Sequence, residues 1–374
     1  MVKGSLVEAA EGLQEIVEAH ADKAEQNRRL PKRLVQALRD ANLMRMGVPS
    51  VYNGPEADPI TMVKSIEALA AADGAAAWCA MIASTTSLMS LFMEPEFAEP
   101  IYSDPKVITG GAFAPNGKAQ SVDGGWRVAG RWQWGSGCQH CQYILGGTTT
   151  DEGEFHLMFF DAGDVTIHDT WYSSGLRGSG SHDYSVDGAF VPRGRSVQPF
   201  LGRRQVDCPL AMFPNFTLLA ACVSSVSLGI ARHAIDELTE LGQQKKPMLS
   251  STTISQSGWA QAELAKAEAL LRSAQAFLHH ELHEAWQTTL AGSRVDVNQR
   301  ARIRLAGVNA AESAARSVEI VYTLGGGTAV YETSPLQRCL RDTRVATQHM
   351  QISPRNYERL GQIFFGQEGD TTTL

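Results

Sequence analysis

Three stretches of this chain gather the residue types that can hold a flat aromatic group and move a proton beside it. The first is Trp132-Gln133-Trp134-Gly135-Ser136-Gly137-Cys138-Gln139-His140, and the second is Gly175-Leu176-Arg177-Gly178-Ser179-Gly180-Ser181-His182-Asp183. The third runs from Leu324-Gly325-Gly326 through Pro335-Leu336-Gln337-Arg338 and Arg341-Asp342 to His349. Small residues let backbone approach a planar ligand, aromatic rings wall it, and hydroxyls and amides bond its edge. Other constellations are weaker. His279 and His283 have the spacing of a metal pair, but His280 stands where a zinc protease needs Glu, so a solvated helix face and no metal are expected. Cys138 and Cys141 form one pair, too few ligands for structural zinc, and read as packed thiols in a strand, with a redox pair as the lesser alternative. Gly325-Gly326-Gly327 fits either a helix C-cap or a phosphate nest, without the Lys of a P-loop. No Ser/His/Asp motif of hydrolase type is present.

These segments sit in a chain of 374 residues, enough for two or three domains, with 43% hydrophobic and 20% charged residues. Net charge is −7, which argues against a nucleic-acid or anionic-membrane partner. Charges at Lys3, Glu8 and Glu11 interrupt the N-terminus, so no signal peptide is read there and a cytoplasmic protein with reduced cysteines is expected. The apolar run Pro209–Ala231 contains Pro214, Asn215 and serines, and suits a buried helix better than a membrane span. Residues 1–105 read as helical: Pro31 precedes Leu34, Val35 and Leu38 on one face, Asp58-Pro59 starts a second helix, and a small-residue helix runs from about Ala75 to Met93. Residues 106–203 carry short alternating runs around Asp123-Gly124-Gly125 and read as an antiparallel β domain. Residues 204–374 return to helical periodicity, with helices near 212–242, 255–290, 297–324, 336–350 and 354–364. The fold class is mainly α with a central β domain.

The order of these parts, the Gly-x-Arg-Gly-Ser segment ahead of Val191-Pro192, and the Gly-Gly…Pro-x-x-Arg-x-x-Arg-Asp run together resemble the acyl-CoA dehydrogenase superfamily over essentially the full length. The resemblance implies a helical domain, a β domain, a four-helix bundle and a bound flavin. Dehydrogenases of this kind need a carboxylate to take an α-proton. In many members it lies eight residues after the Asp of Arg-Asp, which here is Met350; in others it lies on the first long bundle helix, yet no Asp or Glu occurs from Pro209 through Ile235. His349 adjoins the vacant position. That pattern, with Ser136-Gly137-x-x-His140, Arg177-Gly178-Ser179-Gly180-Ser181 and Arg28-Arg29-Leu30-Pro31, is more similar to the branch of two-component flavin-dependent monooxygenases.

The branch implies reduced flavin, FMNH2 or FADH2, supplied by a separate NAD(P)H:flavin reductase. With O2 it gives a C4a-hydroperoxide that hydroxylates an aromatic or heteroaromatic small molecule in a dry pocket. His349 is then the substrate-activating base, and Trp134 a wall of the flavin. Ser136 or a backbone amide near Gly135 and Gly137 contacts N5, beside Ser179. Arg177, Gly325 and Gly326 hold phosphate, partly across the subunits of a homotetramer, and His140 supports the flavin from behind. Phenol-hydroxylating members carry another His on the third N-terminal helix. Trp78–Met93 offers only Ser84, Thr85, Thr86, Ser87 and apolar residues, which implies either a less polar substrate such as an indole, a polycyclic aromatic or a sulfur heterocycle, or a polar contact from Ser84 or Thr85. An acyl-CoA dehydrogenase or flavin oxidase with an unrecognised base, and a non-catalytic paralogue, are the alternatives.

Overall fold

The computed structural model describes residues 5–199 and 203–374; Val2 and Lys3, where the reading of an unsecreted N-terminus begins, lie outside them. The elements come in the expected order of helices, sheet, helices. The leading helices are α1 (Leu6–Glu11), α2 (Gln14–Asn27), α3 (Lys32–Asp40), α4 (Pro59–Ala70), α5 (Gly74–Ser87) and α6 (Pro95–Tyr102). Asp58 caps α4 as its place before Pro59 predicts, accepting from the N–H groups of Ile60 and Thr61 at 2.9 and 3.0 Å. The small-residue helix is α-helical only to Ser87 and then tightens into a 3-10 turn at Leu88–Leu91. There Ser87 and Ser90 donate their hydroxyls to the carbonyls of Ser84 and Ser87, three residues back, a pattern that favours the tighter winding.

The central sheet has strands β1 (Thr109–Val122), β2 (Gly125–Gly135), β3 (Tyr143–Thr150), β4 (Phe155–Asp161), β5 (Thr166–His168), β6 (His182–Pro192) and β7 (Ser196–Val197). Their spatial order is β5-β6-β2-β1-β3-β4-β7. The sheet is mixed rather than antiparallel throughout, because β1 and β3 pair in parallel from Thr109↔Tyr143 to Ala119↔Thr150. The chain leaves β2 at Gly135, crosses through a turn at Cys138–His140, and re-enters on the far side of β1 running the same way. Cys138 and Cys141 therefore stand at this crossover and not in a strand, where Gly137 in the left-handed region (φ 68°) ends the extended run. All six cysteines are buried and free. The Trp132 indole fills the middle of the sheet: its Nε1–H donates to Gly147 O at 2.7 Å, and its ring stacks on Tyr184 at 5.3 Å. A Cβ at Gly117 or Gly146 would lie 2.5 Å from that indole, so glycine there is a packing requirement.

The remaining helices are α7 (Pro209–Met212), α8 (Asn215–Gln244), α9 (Gly258–Leu290), α10 (Val297–Gly325), α11 (Pro335–Ala346) and α12 (Asn356–Phe364). Gly74–Leu91 and Asn215–Gln244 are long and apolar enough to cross a membrane, but 94% and 83% of those windows are buried inside the protein, as the reading of Pro209–Ala231 expected. Gly229 lets α8 touch α4, since a Cβ there would meet Ala70 Cβ at 2.4 Å. His279 is not simply solvated: its Nε2 meets Glu67 Oε1 of α4 at 2.8 Å. The helix expected over 336–350 stops at Ala346, and His349 becomes the N-cap of a 3-10 turn at Met350–Ile352. Pro354 then keeps Ser353 extended (ψ 141°), which ends that turn.

The Arg-x-x-Arg-Asp motif on α11 ties three parts of the molecule together. Arg338 pairs with Asp22 at 2.8 Å and Arg341 with Glu25 at 2.7 Å, both on α2. The Asp342 carboxylate accepts from the N–H of Leu176 at 2.6 Å, and Arg341 donates to Ser174 O at 2.6 Å. A Cβ at Gly175 would lie 2.3 Å from Arg341 O, so the loop seats directly on the α11 backbone. Burial, and then the neighbouring Asp73, raise the Asp342 carboxyl to about 7. An acid that ionises at higher pH folded than unfolded removes stability as pH rises from the ordinary carboxylate range through its folded value. Asp342→Asn keeps the acceptor and deletes that ionisation. Its melting temperature is expected to fall less than wild type between pH 5 and pH 8. Asp342→Ala leaves the Leu176 N–H unpaired and is expected to cost about 1–3 kcal/mol. Thermal melts of the three proteins at both pH values check this.

Candidate active site

The loop anchored by Asp342 carries Arg177, Ser179 and Ser181, and it lies against the end of β2, which carries Trp134, and the crossover with Ser136 and Gly137. Gly137 N–H donates to Ser179 O at 2.8 Å, joining the two. Side chains then form a buried ladder. Trp78 Nε1–H on α5 donates to Ser136 Oγ at 2.9 Å; Ser136 and Ser181 hydroxyls meet at 2.7 Å, as do Ser181 and Ser179. Ser179 donates its hydrogen to Leu176 O at 2.7 Å. Because a hydroxyl has one hydrogen, that last bond sets the direction: Ser181 donates to Ser179, and Ser136 to Ser181. Ser136 therefore has its hydrogen committed and one lone pair left. The backbone amides beside it are also engaged, with Ser136 N–H on Trp134 O at 2.9 Å.

His349 reaches the same cluster from the other side. Its ring meets Trp78 edge-on at 5.8 Å between centroids, and its Nδ1 accepts from the Gln351 N–H at 3.3 Å. Burial, and secondarily the cation of Arg304, push the imidazole down to about 4. Arg304 is 2% exposed, donates to Phe216 O at 3.3 Å and Thr373 O at 2.8 Å, and makes no ion pair with a side-chain carboxylate among the described residues. His349 is thus neutral at physiological pH, with the hydrogen on Nε2 while Nδ1 accepts. His140, packed against Gly137, is likewise pushed down to about 4 by burial and by Arg29 and Arg39.

Two features of this cluster fit a flat, phosphate-bearing cofactor. Trp134 is held in the left-handed region (φ 63°), which costs about 1–2 kcal/mol for a non-glycine residue, and its ring is left 68% exposed. The Arg177 side chain makes no hydrogen bond or ion pair among the described residues, and its Nε is buried without a partner. A cation with no counter-charge, on a loop bonded to the segment that carries an exposed indole, suits a flavin and its phosphate. Gly135 serves packing, since a Cβ would meet Tyr184 at 2.6 Å. Gly325 and Gly326 are not brought to the ladder by any hydrogen bond or ring contact among the described residues. They end α10, where the Lys245 ammonium bonds Gly325 O and Gly326 takes φ 53°, ψ −144°, so the C-cap reading applies within one chain.

The sequence reasoning did not single out Trp78 or Ser181. Trp78 is the lone aromatic in an otherwise small-residue helix, and Ser181 is the second serine of Arg-Gly-Ser-Gly-Ser; each was a visible signal. Met350, where a dehydrogenase base would fall, is 70% exposed, and the nearby buried acid Asp342 is engaged with Leu176.

Comparison with known proteins agrees with this arrangement. The family descriptions "Acyl-CoA dehydrogenase, N-terminal domain" and "Acyl-CoA dehydrogenase, C-terminal domain" match residues 6–95 and 221–354. The indole-3-acetate monooxygenase of Pseudomonas putida is 30% identical, with 92% of this chain and 89% of that protein covered. The flavin-dependent monooxygenase, oxygenase subunit HsaA, of Rhodococcus jostii (strain RHA1) is 28% identical, with 92% and 94% covered. The crystal structure of 3-HSA hydroxylase from Rhodococcus sp. RHA1 superposes with a TM-score of 0.91 at 26% identity, covering 100% of this chain and 99% of that one.

Breaking the ladder is expected to cost stability as well as order. Ser181→Ala strands the Ser136 hydrogen and one Ser179 lone pair, a loss of about 1–3 kcal/mol that chemical denaturation would register. Trp78→Phe, which keeps a ring beside His349 and removes only the N–H donor, is expected to cost about 1 kcal/mol. A fall in stability no larger than for an exposed serine would refute the ladder. On its fold, its site and these relatives, the chain belongs to the acyl-CoA dehydrogenase family, as a flavin-dependent monooxygenase of that family.

Proposed function

We propose that this protein is the oxygenase component of a two-component system that hydroxylates a small aromatic or heteroaromatic molecule. It takes reduced flavin, as FMNH2 or FADH2, from a separate NAD(P)H:flavin reductase. The observation that carries this reading is a neutral His349 on Trp78, joined through the serine ladder to a loop whose Arg177 lacks a counter-charge. The names of the similar oxygenase subunits support it. Bound reduced flavin supplies the two electrons with which one oxygen atom of O2 goes to the substrate and the other leaves as water.

The chain's own residues bind, orient and exclude water. Trp134 offers a stacking face, Arg177 a phosphate partner, and Ser136 a hydrogen-bonding oxygen at the ring edge. His349 moves the substrate proton. Taking that proton at Nε2 requires the hydrogen to sit on Nδ1, giving up the 3.3 Å contact with Gln351. A bond that long is worth about 1 kcal/mol or less, so the change of tautomer is within easy reach. A phenol O–H or an indole N–H then gives its proton to Nε2 and the ring becomes the better nucleophile.

A homotetramer belongs to the same proposal. Met248, Leu249, Trp259 and Phe365 are 93%, 102%, 61% and 85% exposed on the single chain, and the first two lie three and four residues after Lys245. A subunit contact there would put Gly326 and Lys245 at the boundary where a neighbour's phosphate group can reach them. Light scattering during size-exclusion chromatography tests the assembly.

The activity test supplies the protein with flavin, a flavin reductase, NADH, O2 and a panel of indoles and phenols. Hydroxylated product is expected from wild type. His349→Ala is expected to lower product formation by about 100-fold or more, with O2 appearing as hydrogen peroxide, while flavin affinity stays within about twofold. His349→Asn retains a turn-capping side chain and is expected to show the same loss at wild-type stability. Undiminished product from either variant would remove His349 from the chemistry. With its imidazole depressed to about 4, wild-type product formation should show no His349-dependent acid limb between pH 6 and 8.

A further inference from the structure

The serine ladder has fixed ends. At one end the Trp78 indole N–H can only donate, and it does so to Ser136 Oγ at 2.9 Å. At the other end the Leu176 carbonyl can only accept. It takes the Ser179 N–H and the Trp171 indole N–H, both at 3.0 Å, and the Ser179 hydroxyl at 2.7 Å. Between these ends run the contacts Trp78–Ser136, Ser136–Ser181, Ser181–Ser179 and Ser179–Leu176. One indole hydrogen and three hydroxyl hydrogens fill them, with none left over. Every hydroxyl hydrogen therefore points along the ladder toward Leu176. Ser136, Ser179 and Ser181 are 5%, 1% and 3% exposed, so bulk water offers them no competing arrangement.

What Ser136 presents to a ligand is then one lone pair and no hydrogen. It is also the serine bonded to Trp78, on which His349 packs, so it belongs to the end of the site where the proton chemistry occurs. At the reacting edge of a flavin, N5 carries a hydrogen in the two-electron-reduced ring and a bare lone pair in the oxidised ring. We propose that Ser181 and Ser179 are positioning residues that set the redox preference of the flavin site. By consuming the Ser136 hydrogen they leave Ser136 an acceptor, which pairs with the N5–H of the reduced ring and opposes the oxidised ring lone pair to lone pair. This deepens the oxygenase reading and rests on it: that reading gives the site reduced flavin, and the direction of the ladder is the device that selects it. A serine with a free hydroxyl would turn its hydrogen to oxidised N5 and hold both forms.

The test measures Kd anaerobically for oxidised and photoreduced FMN and FAD, and the midpoint potential of the bound flavin. In Ser181→Ala the Ser136 hydrogen is released, so oxidised flavin is expected to bind more tightly than in wild type while reduced flavin gains nothing. The ratio of oxidised to reduced Kd should fall roughly tenfold, which lowers the midpoint potential by about 30 mV. Ser179→Ala, one step further from Ser136, frees Ser181 to reverse and is expected to move the ratio the same way. It decides the matter if Ser181→Ala does not fold. Ser181→Thr retains a hydroxyl and should keep the wild-type ratio. Oxidised 5-deazaflavin, with carbon in place of N5, gives the freed hydrogen nothing to bond and is expected to bind wild type and Ser181→Ala alike. An unchanged ratio in the alanine variants would overturn the assignment. So would a 5-deazaflavin affinity that rises with that of ordinary oxidised flavin, the mark of a merely loosened site. Flavin bound in neither state would overturn the assignment and the oxygenase reading together. A ratio that shifts as expected in a protein giving no oxygenated product would keep the assignment and overturn that reading.

Discussion

The hydrogen bond from Leu176 N–H to the buried Asp342 carboxylate holds the site together. With Arg341 donating to Ser174 O, it seats the loop 174–181 on α11, and everything the loop carries depends on that seat. Ser179 O receives the crossover through Gly137, the serine ladder passes from the loop to Trp78, and Trp78 packs on His349. The Pro-x-x-Arg-x-x-Arg-Asp run is thus a structural clamp whose arginines grip α2 while its aspartate grips the loop. Its worth lies in precision, because a reacting group displaced by an ångström loses much of its advantage.

The same burial that builds the clamp sets the charges. Removing Asp342 from water raises its carboxyl, and removing His349 and His140 from water lowers their imidazoles. Arg304, buried near His349, adds a positive field that further disfavours the imidazolium. The site therefore holds proton acceptors unprotonated at neutral pH without a carboxylate beside them. A dehydrogenase solves a different problem with a Glu; here the position that would carry it is Met350, facing outward. An acceptor of this kind suits an acidic N–H or O–H better than the weakly acidic α-carbon of a thioester.

Dryness connects the two halves of the site. The hydroxyls of Ser136, Ser179 and Ser181 satisfy one another and need no water, which lets a polar row exist at 5% exposure or less. Further along α5, Thr85, Met89, Phe113, Phe216 and Leu219 close on one another, leaving room for about one water. Polar groups that are mutually satisfied keep solvent out as effectively as apolar ones, and a hydroxylating site depends on that exclusion.

Much of this was legible in the residues. Periodicity and caps are local, so Asp58-Pro59, the small-residue helix and the long bundle helices could be placed from neighbours within four positions, with ends displaced by a few residues. The three chemical segments were legible too, because glycine, hydroxyl and aromatic residues rarely cluster without a ligand or a tight turn to explain them. The parallel pairing of β1 with β3 was not, since strand direction depends on how a crossover folds back and no side-chain pattern records it. Nor was the placement of Cys138 and Cys141 in that crossover, or of His349 beyond the end of α11. The sequence by itself determined the element order, the family and the presence of His349, Trp134, Ser136 and Arg177. Only the tertiary structure decided that Trp78 meets Ser136 across 58 residues and that Asp342 meets Leu176 across 166. The reason is physical: propensity and amphipathic spacing act over a few residues, whereas hydrogen-bond pairing and desolvation depend on which distant surfaces pack together.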